Sequence, residues 1–178
     1  MKQKELNKVL VLHKKWLDDS ADGVKADLQG ADLHGTDLHG ADLQWANLRG
    51  ADLRDADLQG INLQGADLQW ANLREADLRE VNLRGANLQG ASLQGANLRE
   101  ANLQWASLQG ATLQGADLDF SCWPLWCGSV GVVVDKRIAV QLAAHFCAVI
   151  CDDPEIKRVQ KYLKKTAKQS HRAEECKV

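Results

Sequence analysis

Cysteines, histidines and a dense set of acids and arginines are the residues here that can do chemistry. All five cysteines lie beyond residue 120. Cys122-x4-Cys127 and His145-x-Cys147-x3-Cys151 offer the thiolate and imidazole donors that zinc takes. The spacing matches no zinc knuckle, and Cys147 and Cys151 fall on an apolar stripe, so buried reduced thiols are the first expectation. Zinc and a Cys122–Cys127 disulfide are the alternatives, and the redox state of that pair stays open. Catalysis has less to build on. The acids and arginines form a regular lattice that implies no pocket. Ser92 and Ser107 sit at outward positions with no histidine near them in the pattern. The glycines recur at fixed intervals rather than ahead of a helix, so no phosphate loop is present. The expectation is a protein that is not an enzyme and holds no metal or cofactor.

The lattice belongs to a repeat. From Ala26 to Phe120 run 19 pentapeptides without insertion, with Leu at the centre of each: Leu28, Leu33, Leu38, Leu58, Leu78, Leu98 and Leu118 are examples. Two places earlier stands Ala, replaced only by Thr36, Ile61 and Val81. Asp, Asn, Ser or Thr lies between. A period of five fits neither a helix of 3.6 residues per turn nor the alternation of two in a strand. It fits a short extended piece, with Ala and Leu inward and Asp and Gln or Arg outward, followed by a corner. Such a unit hides its apolar side only by stacking, which makes a solenoid with those leucines as its core. Gly holds the corner in 11 of the 19 repeats. The other eight corners are Trp45, Asp55, Trp70, Glu75, Glu80, Glu100, Trp105 and Phe120. Side chains at so many corners argue against a positive φ at every one.

In tandem, A-[DN]-L-x-x resembles the pentapeptide repeat family, over 95 of the 178 residues. The resemblance implies an all-β solenoid: a right-handed quadrilateral β-helix, four pentapeptides per coil and about five coils here. At about 4.8 Å per coil it is roughly 23 Å long. Three segments follow: 1–25 as an N-terminal capping helix and lead-in, 26–120 as the β-helix, and 121–178 as an α-helical C-terminal cap or dimerisation segment.

With 20 residues per coil, Asp37, Asp57, Asp77 and Asp117 stack on one side, with Asn97 among them. Residues 26–120 carry 14 acids against six arginines and no lysine, a charge of −8, whereas both ends are mildly basic. In the fluoroquinolone-resistance and gyrase-inhibitor members, acidic sides are understood to imitate the phosphate rows of DNA. The resemblance therefore implies, as an alternative, a DNA-mimicking modulator of a type II topoisomerase. The arginines among the acids, and the lack of loops leaving the coils, favour instead a non-catalytic scaffold that binds a protein. Three tryptophans interrupt the polar surface. Trp45 and Trp105 share one corner three coils apart, and Trp70 lies one corner round, so they read as separate anchors. Trp70 is the exposed one to test; Trp105 is expected to be covered by residues around Trp123 and Trp126.

The ends must close the stack. Residues 3–19 read as an amphipathic helix with Leu6, Val9, Leu10, His13, Trp16 and Leu17 on one face. His13 is expected to be a packed or half-exposed cap residue rather than a ligand. Val130–Val134 reads as a strand continuing the last coil. A helix from about Asp135 to Cys151 presents Ile138, Leu142, Phe146 and Ile150 as one stripe, fit to cover the coil end or to join a second copy. A further helix after Pro154 has a lysine-rich outer face. Its solvated basic face, with Tyr162 as the only aromatic, gives no expectation of nucleic-acid binding. CWPLWCG is similar to C-terminal regions of bacterial and phage pentapeptide proteins, and the resemblance implies dimerisation through that end. No secretory signal and no membrane span are visible, so a cytoplasmic location is expected.

Overall fold

The computed structural model describes residues 1–122, 132–134, 138–139 and 161. The chain divides into two units, Met1–Val133 and Val134–Val178. In the second unit Ile138 is buried, Ala139 and Lys161 are exposed, and all three are helical.

The first unit opens with helix α1, Gln3–Leu17. The Glu5 carboxylate accepts the Lys2 backbone N–H at 3.3 Å, which closes the first turn. Lys14 and Lys15 sit in the last turn, where the helix dipole favours cations. Leu6 and His13 are the fully buried residues of α1, while Val9, Leu10, Trp16 and Leu17 are half-buried. The chain then doubles back across the helix end. Gly23 is required there, because a β-carbon would overlap the backbone of Trp16. Val24 N–H donates to the Leu12 carbonyl at 3.0 Å, holding the lead-in against α1.

From Ala26 the chain winds into a β-helix. Parallel bridges join each second-position residue to the one 20 later, as in Asp37 to Asp57 and Asp57 to Asp77. Four pentapeptides therefore make one coil, with four columns. Side 1 runs Asp27, Asn47, Asp67, Asn87, Ser107. Side 2 runs Asp32, Asp52, Asn72, Ser92, Thr112. Side 3 runs Asp37, Asp57, Asp77, Asn97, Asp117, and side 4 runs Asp42, Asn62, Asn82, Asn102, Cys122. Side 2 gains one more rung at Val133, 21 residues beyond Thr112 rather than 20. Of the expected strand at 130–134, only a single bridge at Val133 is present, with Val132 and Val134 outside any strand; residues 130–131 lie outside the described set.

Each central leucine is buried, from Leu28 at 1% exposure to Leu118 at 6%, with Leu33, Leu38, Leu58, Leu78 and Leu98 between. From Ala46 onward the small residue two places earlier is buried too. In the first coil Ala31, Thr36 and Ala41 stay half-buried, because no coil lies beneath them. The N–H after each corner closes a turn on the leucine carbonyl, as in Ala31 to Leu28 at 3.0 Å. The corner N–H itself donates one coil onward, as in Gly30 to Arg49 O at 2.8 Å.

All 19 corner residues have positive φ, the eight with side chains included, from Asp55 at 54° to Gly115 at 74°. The sequence expectation was wrong on this point. An L-residue in that region costs about 1–2 kcal/mol. The cost is tolerated because hydrogen bonds on both sides of the corner and the leucine beneath it determine the backbone.

Candidate interaction faces

The second-position Asp or Asn has a local task before any other. Its side-chain oxygen accepts the N–H two residues on, as in Asp37 to His39 at 3.0 Å, Asp57 to Gln59 at 3.1 Å and Asp117 to Asp119 at 3.1 Å. Short polar side chains suit this because they reach their own backbone across a turn. Asn47 also donates to Asp27 at 2.8 Å, and Asn82 to Asn62 at 3.0 Å, tying coil to coil.

Side 3 brings Asp37, Asp57, Asp77 and Asp117 into one column. With Asp119 and the bordering corners Asp55, Glu75, Glu80 and Glu100 it carries nine acids against Arg79 and Arg99. The two arginines divide it. Arg79 grips Asp77 through Nε at 2.8 and 2.9 Å and Nη2 at 2.5 Å, and reaches Gln59 at 3.0 Å. That grip, more than its charge alone, holds the Asp77 carboxyl below its ordinary range; burial opposes it. Arg99 stands 3.8 Å from Asp117 and 3.5 Å from Asp119, over the ring of Phe120. On side 2, Arg54 grips Asp52 in the same way and lowers its carboxyl likewise, and His34 meets Asp55 at 3.1 Å. All are partly solvated pairs, which water screens, so each adds little to stability.

Trp45, Trp70 and Trp105 are 50%, 64% and 64% exposed. Trp105 is therefore as open as Trp70, contrary to the expectation that it would be covered; Trp123 and Trp126 lie outside the described residues. As fifth residues at positive φ, these side chains leave the body at corners. Two are seated on glycine. The six-membered ring of Trp45 occupies the space a β-carbon would take at Gly65, and that of Trp70 does so at Gly90. In both cases the glycine is 20 residues on, the same corner of the next coil. The Glu75 carboxylate covers Gly95 in the same manner.

A corner belongs to two sides. Trp45 and Trp105 stand where side 1 begins, at residues 46 and 106, and Trp70 stands where side 1 ends. The three tryptophans thus border one side, which reading them as separate anchors missed. The signal was in the register: each corner closes one repeat and opens the next. Between them the surface is polar and nearly neutral. Arg49 meets Asp67 at 3.5 Å, and the amides of Gln69, Gln89 and Gln109 form a ladder at 3.5 and 3.2 Å.

Cys122 is exposed with a free thiol, not buried as expected. Its position explains this: it continues the outward column of Asn102. Cys127, His145, Cys147, Cys151, Leu142, Phe146 and Ile150 lie outside the described residues. Among the described residues, no helix is long and apolar enough to cross a membrane.

The family model for pentapeptide repeats matches residues 24–55, 51–90 and 86–119, as eight copies. Among solved structures, the pentapeptide repeat protein Rfr23 from the cyanobacterium Cyanothece 51142 is similar at 34% identity, covering 70% of this chain and 93% of that one, with a TM-score of 0.57. A pentapeptide repeat protein from Nostoc PCC 7120 is 33% identical over 70% of this chain and 93% of its own, with a TM-score of 0.34. HetL from Nostoc sp. strain PCC 7120, involved in heterocyst differentiation regulation, is 37% identical over 62% and 60%, with a TM-score of 0.22. Among curated proteins no significant match is found.

Proposed function

The chain belongs to the pentapeptide repeat family, whose fold is a right-handed quadrilateral β-helix and whose members are generally structural or regulatory rather than enzymatic; from that premise we propose that it is a non-catalytic scaffold that docks a protein partner on side 1. The observation that carries this is the placement of Trp45, Trp70 and Trp105 around one nearly neutral side. Tryptophan is the residue type most enriched where binding energy concentrates. A ring already seated on glycine loses little freedom when a partner covers it. Helix α1 serves as an end cap on this reading.

DNA mimicry at side 3 is the weaker alternative. Arg79 and Arg99 neutralise Asp77 and Asp117, which leaves the acidic column broken where an imitation of phosphate rows needs it continuous. Dimerisation through Ile138, Leu142, Phe146 and Ile150 is a separate proposal, and a monomer mass by light scattering contradicts it.

Two assays run side by side test the scaffold. Immobilised protein is incubated with lysate of the source cell, and DNA gyrase supercoiling is measured at micromolar protein. A retained partner that Trp70→Ala loses, with no effect on gyrase, supports the scaffold. Inhibition or protection of gyrase that Asp57→Lys abolishes and Trp70→Ala does not would establish mimicry instead.

A further inference from the structure

His13 is the buried polar residue of α1, and it sits at the junction with the first coil. Its Nδ1 accepts the Ala26 backbone N–H at 3.0 Å, across 13 residues of chain. A nitrogen that accepts carries no proton, so the neutral ring holds its hydrogen on Nε2. Nε2 is buried without a hydrogen bond of good geometry, although the backbone of Gln44 lies close enough to act on the ring. The ring stacks on Trp16, with centroids 5.4 Å apart and planes 12° off parallel, and Lys25 lies over Trp16 from the other segment.

This geometry admits one protonation state. A second proton must go on Nδ1, where it would point at the Ala26 N–H, donor against donor. We propose that His13 is an acid-sensitive latch: protonation of Nδ1 breaks its bond to Ala26 and releases α1 from the edge of the first coil. The groups around the ring can be weighed. Burial is the largest influence and holds the ring below the ordinary histidine range of 6.5; Lys25 from the lead-in adds to it. The backbone of Gln44 and the carboxylate of Asp42, both from the first coil, favour the charged ring without prevailing. The sign follows. A ring that stays neutral when docked but charges when released stabilises the junction above about pH 6.5, and that stabilisation is lost as pH falls toward the docked ring's own pKa.

Release has a structural consequence. The first coil has no coil beneath it, and α1 supplies partners to its edge. The Met1 amino group donates to the Asp32 carbonyl, Gln3 Nε2 donates to the Asp37 carbonyl at 3.4 Å, and His13 accepts from Ala26. With α1 lifted, these groups form an open strand edge of the kind that pairs with another extended chain.

The test is amide hydrogen exchange on the intact chain, corrected for the intrinsic pH dependence of exchange. Protection at Val24 and Ala26 should fall by up to about tenfold per pH unit below 6.5, while protection at Leu68 in the middle of the coil should not change. His13→Asn keeps an acceptor for Ala26 and cannot be protonated, so its junction should lose the pH dependence. Ring NMR of the unmodified chain keeps the proposal testable if that variant folds poorly: His13 should be the Nε2–H tautomer and titrate below the ordinary histidine value of 6.5. Equal protection at pH 7 and pH 5, the same pH loss in His13→Asn, or titration of His13 at or above 6.5 would each overturn the latch.

Discussion

The six-membered ring of Trp70 lies where a side chain at Gly90 would be, one coil further on at the same corner. This contact divides the work of the two residues. Trp70 accepts a φ of 60°, and Gly90, at 68°, leaves room for the ring.

Gly90→Ala should therefore cost more than Gly85→Ala. Gly85 has φ 67° and open space at its β-carbon, so alanine there meets backbone strain alone, about 1–2 kcal/mol. Alanine at 90 must also displace the ring, for a total of about 2–4 kcal/mol with a further 1–2 from the clash. Denaturant midpoints measure both. In a Trp70→Ala background the two substitutions should cost the same, and an undiminished difference would rule out the contact as its cause.

The strain at side-chain corners predicts a stabilising change. Glu100 has φ 60°, and its N–H bond to the Asp119 carbonyl is made by backbone. Glu100→Gly should raise stability by roughly 0.5–1 kcal/mol, since relief of strain exceeds the added freedom of the unfolded chain. A lower melting temperature would mean that the corner is held without strain.

Leu78 is fully buried between coils. Leu78→Ala should cost about 2–5 kcal/mol, and Leu78→Asp should abolish the folded circular dichroism signal, because a carboxylate in the stack has no partner.

Arg79 holds the Asp77 carboxyl low, chiefly by hydrogen bonding, so the pair stabilises the fold above an ordinary carboxylate value and loses that contribution as pH falls through the depressed one. Arg79→Ala should return Asp77 toward the ordinary value of 3.8 in carboxyl NMR titrations. The stability difference between the two proteins should shrink on acidification. An unmoved Asp77 would mean that the turn bond to residue 79, not the guanidinium, sets its titration.

The coil was legible in the sequence because every repeat obeys one rule and nothing interrupts it. A central leucine and a small residue two places earlier specify an interior, whichever residues face out. The corners were not legible: composition shows which residues occupy them, but the φ of Glu75 or Trp105 is imposed by bonds to neighbouring coils, which no single pentapeptide contains. The bordering of side 1 was legible in principle, since it needs only the register of 20 and the sharing of corners. Cys122 was misread for want of the same arithmetic, because Asn102 marks its column as outward. The helical stripe placed His13 on the capping face, packed or half-exposed, and the structure buries it fully; its bond to Ala26 was not legible, because it joins two elements of different period.

Partner retention by Trp70→Ala, beside the unmodified protein and Asp57→Lys, tests the central claim most directly. Stability is measured on the same samples. If side 1 is the docking face, Trp70→Ala loses the retained protein by about 30-fold or more, as loss of an aromatic hot-spot anchor does, with stability unchanged within about 0.5 kcal/mol, and Asp57→Lys retains it. Full retention by a folded Trp70→Ala protein, with loss in Asp57→Lys, would contradict the account and move the docking face to side 3.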